Sequence, residues 1–417
     1  MDDRGLVITR KGCMIFLMIY AASVFIWDYT IAYQAALVLM VGCALVLYRG
    51  RLLRLSPYVA VSGLFLLYFI VHTCLGLSTA PRLSIDYLVT LCINLVAVMS
   101  VICIVDSREK IEMVLKTLIV AAVAIWIYVI IVDRAHWFTG TLGGRIEKPI
   151  FGGKYSHNNL PMLAGYAVLF LSYFRLKNKN LKWVYFLDAF FLVCVLLSGA
   201  RKALLFMLLG LFAYPLMLSK KPEQYVNKTI KFTVLIVCVV MAFVLIMTNE
   251  TLYAVIGHRF VGFLDGLVGG TFTESSARSR MVMLQTALNT VREHFLLGIG
   301  LNTFRTLEGS FGTWSHNNFL EIMVSGGILP LLIYYSFPVY AFVKLMKTRR
   351  DPLSGMFMTY LIYIVIHDLL SISYNARNLG LMMSLIAAYL LIREREIRGA
   401  QDPIFITGAL PQGERAA

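Results

Sequence analysis

Charged residues are scarce in this sequence. Only 15% of the 417 residues are Asp, Glu, Lys or Arg, whereas 59% are hydrophobic. This composition excludes a soluble multidomain protein, because too few polar residues remain to cover the surface of one. A lipid bilayer is therefore the expected solvent of the chain.

Paired metal ligands and nucleotide motifs are also absent. The seven cysteines all fall in apolar stretches, without the close pairs that a zinc site or a set of disulfides requires. The sequence has no Walker loop, no DxD pair and no HExxH motif. These absences argue against nucleotide-driven chemistry, and we expect neither a metal ion nor a cofactor.

Acidic residues are outnumbered by basic ones, which gives a formal net charge of +15. Such an excess could indicate a nucleic-acid partner. However, the basic residues sit in short segments between apolar runs, where they set the orientation of a membrane protein. We therefore expect no nucleic-acid partner.

About twelve apolar runs are long enough to cross a bilayer as helices. They lie near residues 12–27, 30–48, 57–79, 84–105, 111–132, 158–174, 182–198, 202–219, 230–248, 317–346, 354–372 and 377–392. The run at 317–346 is longer than a span needs, and we expect it to be tilted or broken near Gly326, Gly327 and Pro330. The predicted fold is an all-α polytopic membrane protein.

Basic loops alternate with the predicted spans and assign a side to each one. If the N-terminus is cytoplasmic, the basic loops all fall on the cytoplasmic side, as the positive-inside rule requires. We therefore expect an inner-membrane protein with both termini in the cytoplasm. The expected organisation is transmembrane helices 1–9 in residues 1–248, an outer loop in 249–315, transmembrane helices 10–12 in 316–392 and a cytoplasmic tail in 393–417.

The predicted outer loop contains an amphipathic segment. Hydrophobic residues recur there at helical spacing, at Met281, Leu284, Leu288, Val291 and Phe295. This pattern predicts a helix that lies at the outer membrane surface. The glycine-containing segment at 298–304 predicts a turn that brings the chain back toward the membrane.

Several arginines fall on the predicted outer side. Arg201 lies in a very short turn between two spans, and Arg377 begins the last span. Arg278 and Arg280 open the amphipathic helix. Any one of them could be an interfacial anchor that reaches lipid headgroups. Together on one side, they indicate a binding site for an anion.

The tetrapeptide Ser-His-Asn-Asn occurs twice, each time at the end of a predicted outer loop. The first copy contains His157 and Asn159, and the second contains His316 and Asn317. Capping of a helix start accounts for the serine and the asparagines but does not require the histidine. A histidine beside several arginines has its cationic form disfavoured and can act as a general base near neutral pH.

A lipid diphosphate leaving group is a natural substrate for several arginines and a neutral histidine. Its departing negative charge needs donors that stay protonated, and guanidinium groups bind phosphate in a bidentate way. Glu321 lies near the start of the span after His316, where it could stabilise the helix or orient His316. The residues alone leave both roles open.

The order of several motifs resembles the bacterial O-antigen ligase and O-antigen polymerase family. The motifs are Ser-Gly-Ala-Arg at 198–201, Arg280 in a Met/Leu-rich helix, Gly-Ile-Gly-Leu-Asn-Thr-Phe at 298–304, His-Asn-Asn-Phe-Leu-Glu at 316–321 and Gly-Gly-Ile-Leu at 326–329. They match the homology region of the family, which here covers roughly residues 190–345. The remaining spans are similar only in hydropathy.

The resemblance implies a GT-C-like membrane fold and a metal-independent, inverting glycosyltransferase. Its donor would be an undecaprenyl-diphosphate-linked glycan, and its acceptor a glycan or lipid A-core. Other polysaccharide-assembly proteins are the implied protein partners. The resemblance also implies that Arg201 and Arg280 hold the donor diphosphate and that His316 activates the acceptor hydroxyl. Arg278 is the alternative to Arg280, because the two lie on the same short stretch.

Further substrate-binding candidates follow from their places in the predicted topology and motifs. The candidates for substrate binding are Arg278, Arg377, His157, Asn159, Asn317 and Glu321. They add to the three catalytic candidates, Arg201, Arg280 and His316.

Two activities of the family fit these motifs. A polymerase joins lipid-linked repeat units, whereas a ligase transfers the finished chain to lipid A-core. We favour the polymerase, because residues 254–275 carry few charges and the outer loops show no conspicuous basic cluster for a phosphorylated acceptor. A lipid-linked glycan transporter is a further alternative. Transport predicts ionisable residues along a path through the membrane. Few such residues lie within the spans, chiefly His72, Asp188 and Glu321, and the arginines gather on one face, which argues against transport.

Overall fold

A computed structural model describes residues 3–26, 31–47, 56–132, 149–150, 153–154, 159–178, 181–198, 201–218, 244, 248 and 275–401. Within these ranges the regular structure is almost entirely helical. The exception is an antiparallel pair of two-residue strands, β1 (Pro149–Ile150) and β2 (Gly153–Lys154).

The helices follow the apolar runs of the sequence. The first seven are α1 (Asp3–Ile26), α2 (Ile31–Leu47), α3 (Pro57–Cys74), α4 (Pro81–Ile104), α5 (Arg108–Val132), α6 (Asn159–Lys177) and α7 (Trp183–Ser198). Helix α8 (Arg201–Leu208) continues through a π-helical stretch, Leu209–Ala213, into α9 (Tyr214–Met217). The last five are α10 (Ser275–Glu293), α11 (Asn318–Gly326), α12 (Ile328–Lys347), α13 (Pro352–Asp368) and α14 (Arg377–Gln401). Proline begins α3, α4 and α13, where its missing N–H would have had no partner within the helix.

Four of the described helices, α3, α4, α5 and α12, are long and apolar enough to cross a membrane. Shorter apolar helices occupy Lys11–Phe25, Ile31–Leu47, Trp183–Leu196 and Lys202–Ala213. The protein is therefore an all-helical membrane protein, as its composition predicts. The count of about twelve spans and the GT-C-like arrangement stay predictions. The span expected at 230–248 lies almost wholly outside the described residues.

Helix α6 forms the centre of the largest hydrophobic core. Its residues 160–174 are buried without interruption, and α5, α7, α8 and α13 pack around it. A helix that is apolar on all sides is suited to this position. The ring of Tyr166 lies 4.9 Å from that of Phe206 and 6.1 Å from that of Tyr363, measured between centroids, which joins α6 to α8 and α13.

The long apolar run at 317–346 is broken, as predicted, between α11 and α12. Gly327 links the two helices with a φ of 78°, and a Cβ atom there would lie 2.1 Å from Leu296 O. The N–H of Ile328 donates to Phe295 O at 3.0 Å, so the chain at 295–296 lies against the break between α11 and α12. Glycine is required because the left-handed backbone and the close approach leave no room for a side chain.

Helix α10 is present where the spacing predicts an amphipathic helix. Of the predicted hydrophobic stripe, Met281 and Leu288 are each 39% exposed, whereas Val291 is buried. Met283 and Ala287 are buried together with Val291, because this face of α10 packs on the segment 299–304 and on α11. Contact of the opposite face with a membrane surface stays a prediction.

Segments expected on the outer side of the membrane meet at one end of the helices. The N–H of Thr79, after α3, donates to Ile299 O at 2.8 Å. The hydroxyl of Ser84, in α4, donates to Leu301 O at 2.8 Å. The N–H of Ile299 donates to Val324 O at 2.8 Å, which attaches the same segment to the end of α11. The turn at 298–304 is therefore fixed across α3, α4 and α11.

We expect Gly327→Ala to lower the melting temperature of the purified protein in detergent. The added Cβ atom would collide with the Leu296 carbonyl, and the loss should exceed about 1 kcal/mol. Gly63→Ala in α3 is the matched control, since nothing lies within 4 Å of a Cβ atom there. The control should melt at or slightly above the wild-type temperature. Equal melting of both variants would contradict the role assigned to Gly327.

Candidate functional site

His316 lies directly before α11 in a strained part of the chain. Its φ of 56° is a left-handed conformation that is uncommon for a residue with a Cβ atom. On one side, Ser315 donates its N–H to Glu321 Oε2 at 2.8 Å and its hydroxyl to Asn317 O at 3.0 Å. On the other side, Asn317 caps α11 through its side chain. Contacts on both sides thus hold a backbone strain of the kind that clusters at functional sites.

Glu321 is fully buried in the first turn of α11. Its Oε2 accepts the Ser315 N–H, so the carboxyl group holds the chain next to His316. Of the two roles expected from the sequence, this contact fits positioning of the His316 segment.

Two cations lie near the imidazole ring of His316. Burial of the ring, followed by the charges of Arg280 and Lys202, lowers the pKa of His316 to about 4. At neutral pH the ring is therefore uncharged and can accept a proton. The sequence predicts a neutral histidine beside arginines, and the structure supplies one arginine and one lysine.

Lys202 is a site residue that the sequence analysis missed. It is the second residue of α8, and its ammonium group donates to Leu370 O, after α13, at 2.5 Å. Asn317 Nδ2 donates to the neighbouring carbonyl of Leu369 at 3.3 Å. Lys202 and the His316 segment therefore meet at the same turn. The only signal in the sequence was its place beside Arg201, which equally fits an interfacial anchor.

Arg278 and Arg280 are both exposed in the first turns of α10. Arg280 is the one whose charge acts on Lys202 and on His316. Side chains two positions apart on a helix project from nearly opposite sides of its axis, so Arg278 and Arg280 point in different directions. The effect of its charge on His316 thus favours Arg280 over Arg278 as the arginine of this group.

Three of the predicted site residues fall at the limits of the described structure. Arg201 begins α8 and Asn159 begins α6, but the side chains of both lie outside the described residues. His157 lies wholly outside them. Their expected roles stay predictions, although the start of α8 places the backbone of Arg201 directly beside Lys202.

Arg377 belongs to a different group of side chains. Its guanidinium carbon lies 4.0 Å from the centroid of the Tyr33 ring. It also lines a cavity together with Tyr20 and Asn94. These neighbours come from α1, α2 and α4, whereas the cations near His316 come from α8 and α10. The structure thus does not bring Arg377 together with the His316 group.

Asn318, the second asparagine of the repeated motif, is fully buried. Its Nδ2 donates to Tyr335 OH at 3.0 Å and to Asp368 Oδ2 at 3.2 Å. Its Oδ1 accepts the N–H groups of Ser373 and Tyr374 at 2.8 and 3.0 Å. These bonds anchor the start of α11 to α12, α13 and the turn before α14. The sequence analysis assigned the asparagines to capping and missed this role.

The group around His316 can bind an anion next to a neutral base. Arg280 and Lys202 supply positive charge beside the imidazole ring, and such groups form strong hydrogen bonds with phosphate oxygens. Within the described part of the chain, no three His, Cys, Asp or Glu side chains are grouped as metal ligands.

Comparison with known families agrees with this site. Residues 186–335 match the family model described as O-antigen ligase. The match runs from α7 into α12 and includes Lys202, Arg280 and His316. No curated protein gives a significant match. For this region, the match confirms the resemblance to the O-antigen ligase and polymerase family that the motifs indicate.

Proposed function

We propose that the protein is a membrane glycosyltransferase that moves a glycan from an undecaprenyl-diphosphate carrier to an acceptor hydroxyl. The reaction would take place at the outer face of the cytoplasmic membrane. The observation that carries the proposal is a neutral His316 beside Arg280 and Lys202, inside the region that matches the ligase family. A base for the acceptor and cations for the leaving group are the two requirements of this reaction.

In the proposed reaction, the acceptor hydroxyl attacks the anomeric carbon of the donor glycan from the side opposite the diphosphate. The new C–O bond forms as the bond to the diphosphate breaks, which inverts the configuration at that carbon. The imidazole of His316 takes the hydroxyl proton, and the bonding electron pair leaves with the diphosphate. Arg280 and Lys202 stabilise the negative charge that collects there.

Neighbouring residues take supporting roles in this proposal. Arg201 joins the diphosphate-binding cations, because it directly precedes Lys202 at the start of α8. Glu321 and Asn317 hold the backbone on either side of His316 and so position its ring. These contacts make them positioning residues in the proposal.

The family match supports the ligase over the polymerase as the specific activity. The matching model is described as O-antigen ligase, so lipid A-core is the proposed acceptor. The polymerase favoured by the sequence analysis is the second candidate. It is supported by the low charge of residues 254–275, which offer little to a phosphorylated core.

The ionisable residues within predicted spans support an enzyme over a transporter. Asp188 forms an ion pair with Arg175 at 2.7 Å. His72 Nε2 lies 2.8 Å from Leu297 O, a hydrogen bond that ties α3 to the turn after α10. Glu321 holds the His316 segment. Each group thus has a structural contact, and such contacts give them roles other than lining a transport path.

The first test supplies purified full-length protein with an undecaprenyl-diphosphate oligosaccharide and lipid A-core, without added metal. We expect transfer of the glycan to lipid A-core, seen by gel electrophoresis. A ladder of longer lipid-linked glycans from the donor alone would establish the polymerase instead. Neither product, together with movement of the donor across vesicle membranes, would overturn the enzyme proposal.

Arg280→Ala and Arg278→Ala form a matched pair on α10. We expect Arg280→Ala to lower the turnover number by roughly 10²–10³-fold, because one donor to the leaving group is lost. Arg278→Ala should change it little, since Arg280 is the residue beside His316. Turnover is measured at saturating donor with the assay above. The reverse order of effects would transfer the diphosphate role to Arg278.

The pH dependence of turnover tests the base. Activity requires uncharged His316, so the acidic limb should lie near pH 4, the lowered pKa of that residue. Lys202→Met removes a neighbouring positive charge, so the pKa of His316 should rise toward the ordinary value of about 6.5 and the limb should move to higher pH. Lys202→Arg keeps the charge and should leave the limb in place. An unchanged profile in Lys202→Met would contradict the proposed electrostatics.

A further inference from the structure

A cavity lies between α3, α4, α12 and α14, apart from the His316 group. Its wall is mainly apolar and aromatic, and includes Phe65, Leu91, Tyr334, Tyr374 and Met383. Three of these four helices are long and apolar enough to cross a membrane. The cavity therefore lies at the level of the lipid chains and is lined by side chains that suit such a chain.

A second, smaller cavity adjoins the first, since Asn94, Val98 and Gly380 line both. Arg377 lines this second cavity, and its guanidinium group packs on the ring of Tyr33. Such packing on an aromatic ring fixes the direction of an arginine side chain. A positive charge is thus held at the edge of an apolar space.

We propose that these adjoining cavities bind an anionic phospholipid, with its phosphate on Arg377 and one acyl chain in the larger cavity. A guanidinium group is complementary to phosphate, and the apolar wall is complementary to the chain. The surrounding bilayer supplies molecules that combine both features. This site is separate from the proposed diphosphate site, because Arg377 packs among α1, α2 and α4, whereas Lys202 and Arg280 belong to α8 and α10.

The proposed lipid would contact the part of the chain that supports His316. Tyr374 lines the larger cavity with its side chain, and its backbone N–H donates to Asn318 Oδ1 at 3.0 Å. Tyr334 lines the same cavity, and its hydroxyl lies 3.3 Å from Ser373 Oγ. An acyl chain in the cavity therefore packs against the turn that Asn318 holds.

The test uses full-length protein, delipidated in detergent, and needs no glycosyl transfer. Binding of phosphatidylglycerol, phosphatidylcholine, undecaprenyl phosphate or inorganic phosphate is followed by native mass spectrometry and by the shift in melting temperature. We expect the wild type to prefer phosphatidylglycerol. Arg377→Gln should bind it about tenfold more weakly, because one charged contact to phosphate is lost. Arg377→Lys should retain part of the preference.

A second variant blocks the junction of the two cavities. A Cβ atom on Gly380 would meet only Val98 Cγ2, at 3.9 Å, so the residue has room for a side chain. Gly380→Leu should therefore fold and lose most of the phosphatidylglycerol binding. Gly63→Leu in α3 and Arg82→Gln in α4 are the matched controls, since both lie outside the cavities, and they should bind as the wild type does.

Three results would overturn the proposal. Undiminished preference for phosphatidylglycerol in both Arg377→Gln and Gly380→Leu would place the lipid elsewhere. Equal stabilisation by inorganic phosphate would show an anion site without a lipid chain. Binding of undecaprenyl phosphate alone would assign the cavities to the glycan carrier.

Discussion

The buried side chain of Asn318 is the contact on which the arrangement of the site depends. A neutral amide offers two donor hydrogens and two acceptor lone pairs, and all four positions are used here. A buried amide whose groups are all hydrogen-bonded restricts the arrangement of the elements that it joins. The bonds of Asn318 tie α11 to α12, to α13 and to the turn before α14. His316 lies two residues earlier, so its position follows from this network.

Nearby positive charges influence the protonation state of His316. Arg280 and Lys202 approach from helices that are far apart in the sequence. Burial of the His316 ring, together with these two charges, keeps it uncharged at neutral pH. The same field suits a diphosphate, whose charge increases as its bond to the glycan breaks. In the proposed reaction, one electrostatic arrangement would therefore serve the base and the leaving group together. A carboxylate beside the ring would have had the opposite effect, and the nearby Glu321 is bonded to the backbone of Ser315 instead.

Much of the fold and part of the site could be predicted from the sequence. Apolar runs locate the helices because each span must satisfy its own backbone in lipid, and paired glycines locate the break at Gly327. Arg280 and His316 can be identified from the sequence because both lie in motifs whose order resembles that of the family. Lys202 does not, because its approach to His316 depends on packing between α8 and α13. The buried face of α10 is likewise set by its partner, the segment 299–304, which the hydrophobic spacing alone does not identify.

In the repeated Ser-His-Asn-Asn motif, the serine and asparagines have structural roles, whereas the histidine is left for chemistry. In the second copy, Ser315 and Asn317 bond to the backbone around the start of α11. Asn318 joins three further elements. Among the described residues, the ring of His316 makes no hydrogen bond of its own. The left-handed backbone at His316 and the buried bonds of Asn318 do not involve the imidazole ring of His316. Because the fold does not use this ring, this arrangement supports the proposal that His316 is the base.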